Sequence, residues 1–480
     1  MNSLIQKIKS MPAGVKASVA YFLASIITSG ISYLTTPIYT NMLPSDVIGQ
    51  VSVYMTWVNV FGVLATFRLY YGVFNNGMLD FKDNRDGFSY ALLRLSNIIS
   101  LVFSVVILAL YPFIRKYINM DIPLLLLMLI EFFTQPAYYF WSTRQRYEYK
   151  YKKNVLVSIL VAIITPAIAV LAISAFKDHK LYARLFGGIV PLILLYIGFY
   201  AYIISKGRNK VDRKTERSYW KYAFFFNLPL IPHYLSTYLL GNSDKIMIQQ
   251  ITGNSDAGYY SIAHNVAAIV LIIWSAANSS LVPYTYEKCK EKDYKSISSV
   301  ALSILTIFGV ACVFIILLAP EVIAVMSTPE YRSAMYVVPP IVGGVFFQVH
   351  YYLYANVLYY YKKPKYVMYS SVLATILNIV LNYIFISKYG YIAAGYTTIF
   401  CYLVQAAIDY FAMRHVVKEN VYNMKYVGVL SLALVLISIF SNMTYDYAVI
   451  RYIAIAVICV AAIVFHKRII NIFKSMKKKA

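Results

Sequence analysis

The sequence predicts an all-α polytopic membrane protein of about fourteen transmembrane helices. These form two six-helix lobes related by a pseudo-two-fold along the membrane normal, plus two C-terminal helices. Three observations predict it. Long apolar stretches recur along the 480 residues, basic residues concentrate in every second gap between them, and signatures of the first half return in the second.

The apolar stretches lie at roughly 17–37, 47–67, 90–113, 122–141, 154–176, 185–204 and 222–250. They continue at roughly 257–282, 298–319, 335–360, 366–386, 391–413, 426–441 and 447–465. About 20 apolar residues cross a bilayer as a helix, and most of the stretches reach that length. The chain is 60% hydrophobic, only 13% charged, and has a mean hydropathy of +0.61. A soluble domain carries more charge than this. Both chain ends and the even-numbered gaps, with Arg94 just inside the third stretch, hold thirty-five of the 44 Lys and Arg residues. Short basic loops stay in the cytoplasm, so the alternation predicts both ends inside. The net charge of +24 sits at helix ends, where topology and anionic headgroups account for it without nucleic acid. Many of the 48 tyrosines lie near segment ends, as an interfacial belt requires. Cys289, Cys312, Cys401 and Cys459 are scattered, so neither a disulfide framework nor a metal site is expected. No cleavable signal is expected either; the first segment serves as its own insertion signal.

The duplication is read from two matches. SDVIGQVSVY (45–54) corresponds to SDAGYYSIA (255–263), and EFFTQPAYYFW with KYKKNVLVSIL (131–160) to VFFQVHYYLY with YYKKPKYVMYS (345–370). A constant offset of about 210 residues is the mark of a duplicated transporter. Six spans separate the copies, an even number, so the halves are expected parallel rather than inverted. The divisions expected are 1–204 for spans 1–6, a basic cytoplasmic linker at 205–221, 222–413 for spans 7–12, and 414–480 for the last two spans and tail. Pro37 is expected to end the first span. Pro136, Pro166, Pro229, Pro232 and Pro339–Pro340 are expected to interrupt others. Such kinks serve either packing or a watery cavity.

Three segments, TSGISYLTTPIYTNMLPSDVIGQVSVY (28–54), NLPLIPHYLSTYLLGNSDKIMIQQITGNSDAGYYSIAHNVA (227–267) and YGYIAAGYTT (389–398), carry a family resemblance. With span count and duplication, the chain resembles the O-antigen and capsule polysaccharide flippases of the multidrug, oligosaccharidyl-lipid and polysaccharide exporter superfamily. The resemblance implies a V-shaped two-lobe bundle working by alternating access. It also implies transport of an undecaprenyl-pyrophosphate-linked oligosaccharide from the inner to the outer leaflet. The implied partners are that lipid-linked oligosaccharide, membrane lipids, and a polysaccharide polymerase with its chain-length machinery, but no nucleic acid.

Such a substrate needs cations for pyrophosphate and polar or aromatic side chains for sugars. Ionisable groups within spans are costly and are the first candidates. Asp244–Lys245, in GNSDKIMIQQ, falls in the outer half of the seventh span if that helix runs unbroken from about 222 to 250. The pair either lines the cavity, as the resemblance implies, or neutralises itself and locks the helix. Arg68 and Arg94 flank the loop between spans 2 and 3, placed to meet a pyrophosphate or simply to snorkel. Arg332, in STPEYRSAMY, is positioned to receive the headgroup on the outer side or to pair with Glu330. Glu131 sits mid-span, protonated, paired with an Arg, or in a relay. Asp409 is expected to pair with Arg414. His264 and His350 are protonation candidates. Gln135, Gln348 and Tyr352 are expected to face sugar. Asn378 shares a face with Asn382 and either binds sugar or joins helices.

No P-loop, HExxH or nucleophile elbow is present in the sequence, so no enzyme, metal or cofactor is expected. The runner-up reading is a multidrug or organic-cation antiporter of the same superfamily. The absence of charge between Ala17 and Pro37 weighs against it.

Overall fold

The computed structural model describes residues 13–148 and 150–460. All regular structure among them is helical, as a bilayer demands of a chain that must satisfy its backbone internally. The first half contains α1 (Ala13–Met42), α2 (Ser45–Thr66), α3 (Gly72–Asp80), α4 (Arg85–Ile118), α5 (Ile122–Tyr147), α6 (Tyr151–Ala175) and α7 (Lys180–Gly207). Then come α8 (Arg213–Asn227), α9 (Ile231–Ile251), α10 (Asn254–Glu291), α11 (Tyr294–Leu317), α12 (Ala319–Met326), α13 (Val338–Tyr360), α14 (Pro364–Tyr389), α15 (Ile392–Val417), α16 (Met424–Phe440) and α17 (Ala448–Val460).

Each of the fourteen apolar stretches carries a helix. Among the described residues eleven are long and apolar enough to cross a membrane. A twelfth forms if the 3₁₀ helix Pro329–Tyr336 is joined to α13, from which it bends by 47°. The remaining two are α9, which polar residues dilute, and α17, whose stretch runs on past the described residues. The seventh stretch is not unbroken. A 3₁₀ turn at Leu228–Leu230 separates α8 from α9, where Pro229 and Pro232 remove helical hydrogen bonds. Pro37 does not end the first span; α1 continues to Met42. The hydroxyls of Thr35 and Thr36 donate to the Ser32 carbonyl at 2.9 and 3.1 Å in the turn before Pro37.

Side-chain caps set several starts. Asn84, Asp121, Asp212, Asp293 and Asn423 accept from the backbone N–H two or three residues into α4, α5, α8, α11 and α16.

The chain divides into two compact units, 1–43 with 50–238, and 44–49 with 239–480. The division therefore falls inside α9 rather than at the basic linker expected over 205–221. That segment is the end of α7, a 3₁₀ turn (Arg208–Lys210) and the start of α8. Amphipathic α8 buries Glu216, Tyr219, Ala223 and Asn227. Trp220 Nε1 donates to the Ala91 carbonyl at 2.7 Å, and Tyr222 donates to Asp80 at 2.8 Å. Packing has turned a topogenic loop into part of the first unit.

The first unit has two apolar cores. One gathers Tyr54, Leu124, Met128, Phe132, Leu185 and Ile189 at the end where α5 and α7 begin. The other gathers Tyr70, Phe74, Phe88, Phe140, Ile203 and Tyr219 at the end where those helices finish. In the second unit, α13, α14 and α15 pack around Leu240, Phe347, Ala374, Ile399 and Tyr402. Outward faces such as Leu101, Val105 and Phe113 of α4 or Leu156, Ile163 and Leu171 of α6 are exposed and apolar, as lipid requires.

The repeated Ser-Asp…Gly signature has a steric reason. A Cβ on Gly49 would stand 1.9 Å from the Asn254 carbonyl oxygen, and one on Gly258 would stand 2.2 Å from that of Ser45. Each glycine thus receives the carbonyl four residues before the other, so the first turns of α2 and α10 touch reciprocally. This contact draws residues 44–49 into the second unit. Glu330 accepts the Ser45 N–H at 2.9 Å and completes the start of α2. Replacing either glycine by alanine forces backbone apart and is expected to cost about 1–3 kcal/mol. Gly428→Ala, with open space around it, serves as control. Thermal denaturation in detergent should show lower midpoints for Gly49→Ala and Gly258→Ala and an unchanged one for the control.

Candidate functional site

In the first unit the site is built around Arg68. Helix α2 stops at Thr66, and Phe67 and Arg68 adopt left-handed backbone angles, φ 52° and 45°. Such angles are strained for side chains of this size. Asn227 Nδ2 holds the Phe67 carbonyl and stabilises the turn. The turn folds the Arg68 side chain back along α2. Nη1 donates to the Tyr70 hydroxyl at 2.9 Å and Nη2 to the Asn59 carbonyl at 3.3 Å, while Nε has no partner. The rings of Tyr238, Tyr71 and Tyr70 lie 4.6, 5.5 and 5.8 Å from its Cζ. Arg68 is only 6% exposed, yet among the described residues no carboxylate pairs with it. A guanidinium has five N–H donors in a fixed fork. Here most are uncommitted, and the charge is answered by ring faces and two neutral oxygens.

Arg94 has a different fate. Its Nη1 donates to both oxygens of Glu216 at 2.9 and 2.8 Å, flanked by Tyr90 and Trp220. It fastens α8 to α4. Glu131 is buried without an arginine partner. Its Oε1 accepts from Gln135 Nε2 at 3.3 Å and its Oε2 has none. Glu131 and Gln135 are thus brought together one turn apart on α5.

In the second unit, Asp244 and Lys245 lie on a helix, as the apolar run after them predicts, but they do not pair. Asp244 accepts from Tyr260 at 2.5 Å, Asn382 at 2.6 Å and Thr398 at 2.9 Å. Asn378 is fully buried inside this network. It accepts from Ser243 and Asn382 and donates to Thr398 at 3.4 Å. Its amide joins helices α9, α14 and α15 and is not free for sugar. Asn382 in turn accepts from Thr397. Lys245, 8% exposed, has a single long contact to Asn242 at 3.4 Å. His264 is close enough to Lys245 to feel its charge and bonds the Gly241 backbone. His350 is spoken for on both nitrogens, Nδ1 with the Phe346 carbonyl at 2.9 Å and Nε2 with Ser431 at 3.2 Å.

Tyr352 stacks on Trp274 and stays half-buried, as does Gln348 on the same helix. Arg332 is exposed, and the carboxylate of Glu330 that it was expected to pair with holds Ser45 instead. Asp409 accepts from Ser370 at 2.8 Å, with its other oxygen unpartnered. It does not pair with Arg414, which donates to Asn420.

The sequence reading passed over Arg184 and the tyrosine cage. Arg184 stands one residue before an apolar stretch and reads as loop, while tyrosines at segment ends read as an interfacial belt. The available signal was that Arg184 belongs to the nine cations outside the cytoplasmic-side set.

Helices long and apolar enough to cross a membrane, gathered in two compact units, define the class as a polytopic membrane protein. The model of the family described as "Polysaccharide biosynthesis protein" matches residues 15–288, more than half of the chain, and a MatE model matches residues 229–384. The chain belongs to the polysaccharide biosynthesis protein family. Over 220 residues it is 25% identical to "Lsg locus putative protein 1" of Haemophilus influenzae, covering 45% of this chain and 55% of that one. Over 209 residues it is 22% identical to the "Probable low-salt glycan biosynthesis flippase Agl15" of Haloferax volcanii, covering 43% of each. The matches span about half the length of these relatives. Its fold is similar to that of the lipid II flippase MurJ in an inward closed conformation (TM-score 0.65, 15% identity, 95% of this chain and 100% of that one). It is also similar to an inward-facing multidrug resistance MATE transporter (TM-score 0.60, 13% identity, 81% and 94%).

The two buried charges of α9 predict opposite responses. Asp244→Ala strands three donors and is expected to cost about 1–3 kcal/mol for each one left buried and unpaired. Lys245→Met removes a buried charge that no ion pair holds and is expected to leave the thermal midpoint unchanged or higher. Melting both variants in detergent checks this.

Proposed function

We propose that this protein is a flippase. It moves an undecaprenyl-pyrophosphate-linked oligosaccharide from the inner to the outer leaflet by alternating access, for O-antigen, capsule or exopolysaccharide synthesis. It works in a bacterial cytoplasmic membrane with both termini inside, and hands its cargo to a polymerase and its chain-length machinery. One observation carries the reading: Arg68, a buried guanidinium in the turn that ends α2, has aromatic neighbours and no paired carboxylate. A cation left in this state is costly unless a ligand anion completes it. A pyrophosphate offers the oxygens that an arginine fork matches bidentately. The tyrosines around it present ring faces and hydroxyls to sugars, which are apolar on their faces and polar at their edges. The polyprenyl tail remains in lipid along the exposed apolar faces. Lys245 and Arg332 supply further positive charge in the second unit. Asp244 with His264, and Glu131, are the groups through which transport is coupled to an ion gradient.

The MatE match over residues 229–384 favours a second reading, a drug or organic-cation antiporter. It requires a carboxylate accessible to a cationic substrate, and the buried Glu131 and Asp244 are the groups to serve it.

Arg68→Ala is expected to lower surface polysaccharide at least tenfold with membrane protein level unchanged, and Arg68→Lys to restore only part, because an ammonium lacks the planar fork. Arg94→Ala is expected to lower protein level instead, since it unfastens α8. Normal polysaccharide from Arg68→Ala, together with a gain in drug resistance on expression, would replace the first reading by the second.

A further inference from the structure

Arg184 repeats the condition of Arg68 at the other end of the same unit. It lies in the second turn of α7, half-buried, with its Cζ 4.1 Å from the centre of the Tyr39 ring of α1. On its other side the guanidinium folds along its own helix over Gly188. A Cβ there would stand 2.8 Å from Nη1, so the glycine leaves the room the fork occupies. No hydrogen bond or ion pair engages Arg184 among the described residues. Lys180, one turn earlier on the same face of α7, is anchored at 2.9 Å to the Met42 carbonyl, which leaves its charge unneutralised. Asp121, the acidic group at the start of α5, is engaged by the Tyr182 hydroxyl. Two cations are thus fixed in place by a ring face and a carbonyl, groups that orient a charge without cancelling it.

The spacing gives this a meaning. Arg68 belongs to the end of the unit marked by Ile203, nineteen residues beyond Arg184 on the same helix. That is about 28 Å of helix at 1.5 Å per residue. Arg68 folds back toward Asn59, which shortens the separation to on the order of 20 Å, most of a bilayer core of about 30 Å. We propose that Arg184, with Lys180 and Tyr39, is a second phosphate-binding station at the opposite end of the first unit from Arg68. The ligand class is a pyrophosphate monoester or diester. The proposal rests on the flippase reading, in which the headgroup leaves one membrane face and arrives at the other. It adds that the first unit itself holds the headgroup at both stages.

The test uses the full-length protein in nanodiscs with inorganic pyrophosphate as probe, binding being read by thermal stabilisation and by ³¹P line broadening. In an Arg68→Ala background, residual pyrophosphate binding is expected, and adding Arg184→Ala should weaken it at least tenfold. Arg184→Lys and Tyr39→Leu should each weaken it several-fold, and they carry the test should the alanine variant fail to fold. Residual binding that ignores all three substitutions overturns the second station. Arg68→Ala that binds like wild type removes the Arg68 assignment while leaving Arg184 to be judged by its own variants. A wild-type protein that does not bind pyrophosphate overturns both.

Discussion

A charge carried into a bilayer has to be neutralised, hydrogen-bonded or put to use, and this protein sorts its ionisable side chains by that rule. Arg94 is neutralised by Glu216, and Arg451 by Glu321 at 2.7 Å. Asp244 is hydrogen-bonded by three neutral donors on three other helices. What is left over is informative. Arg68 and Arg184 have ring faces, glycine space and carbonyls around them and no paired carboxylate, and Lys245 stands beside Asp244 without an ion pair. Leaving a cation so requires construction: a left-handed turn and three tyrosines at Arg68, a glycine and one tyrosine at Arg184.

The polar network in the second unit shows the other side of that rule. Asp244, Asn378, Asn382, Thr397, Thr398 and Tyr260 satisfy one another with few donors wasted. A satisfied network of this sort fixes how α9, α10, α14 and α15 pack against each other. Its position, one residue before Lys245, sets an anchored carboxylate beside a buried lysine that makes a single long contact.

Much of the fold was legible because hydropathy and the distribution of Lys and Arg report directly on the solvent. Span positions, the helical assignment of residues 244 and 245, and the repeated signatures come from local pattern. The break at Leu228–Leu230 was marked by Pro229 and Pro232, but its consequence was not. That α8 joins the first unit depends on Glu216 meeting Arg94 and Trp220 meeting Ala91, more than 120 residues away in sequence. The site was less legible for the same reason. Arg68 and Arg94 look alike as cations at the edges of one loop, and only a carboxylate 122 residues from Arg94 separates them. Asp244 and Lys245 are adjacent in sequence, which suggests a pair. On a helix neighbouring side chains point about 100° apart, and the partners of Asp244 lie on other helices while the contact of Lys245 is to Asn242 on its own.

The glycine contact between the starts of α2 and α10 has a consequence for variation. Each glycine receives the carbonyl four residues before the other, so a side chain at either position strikes the backbone that carries the other. The residues between are not held in this way, and one flank reads Ser-Asp-Val-Ile-Gly where the other reads Ser-Asp-Ala-Gly. The two glycines thus answer to each other, and a change at one cannot be absorbed by a change of side chain at its partner.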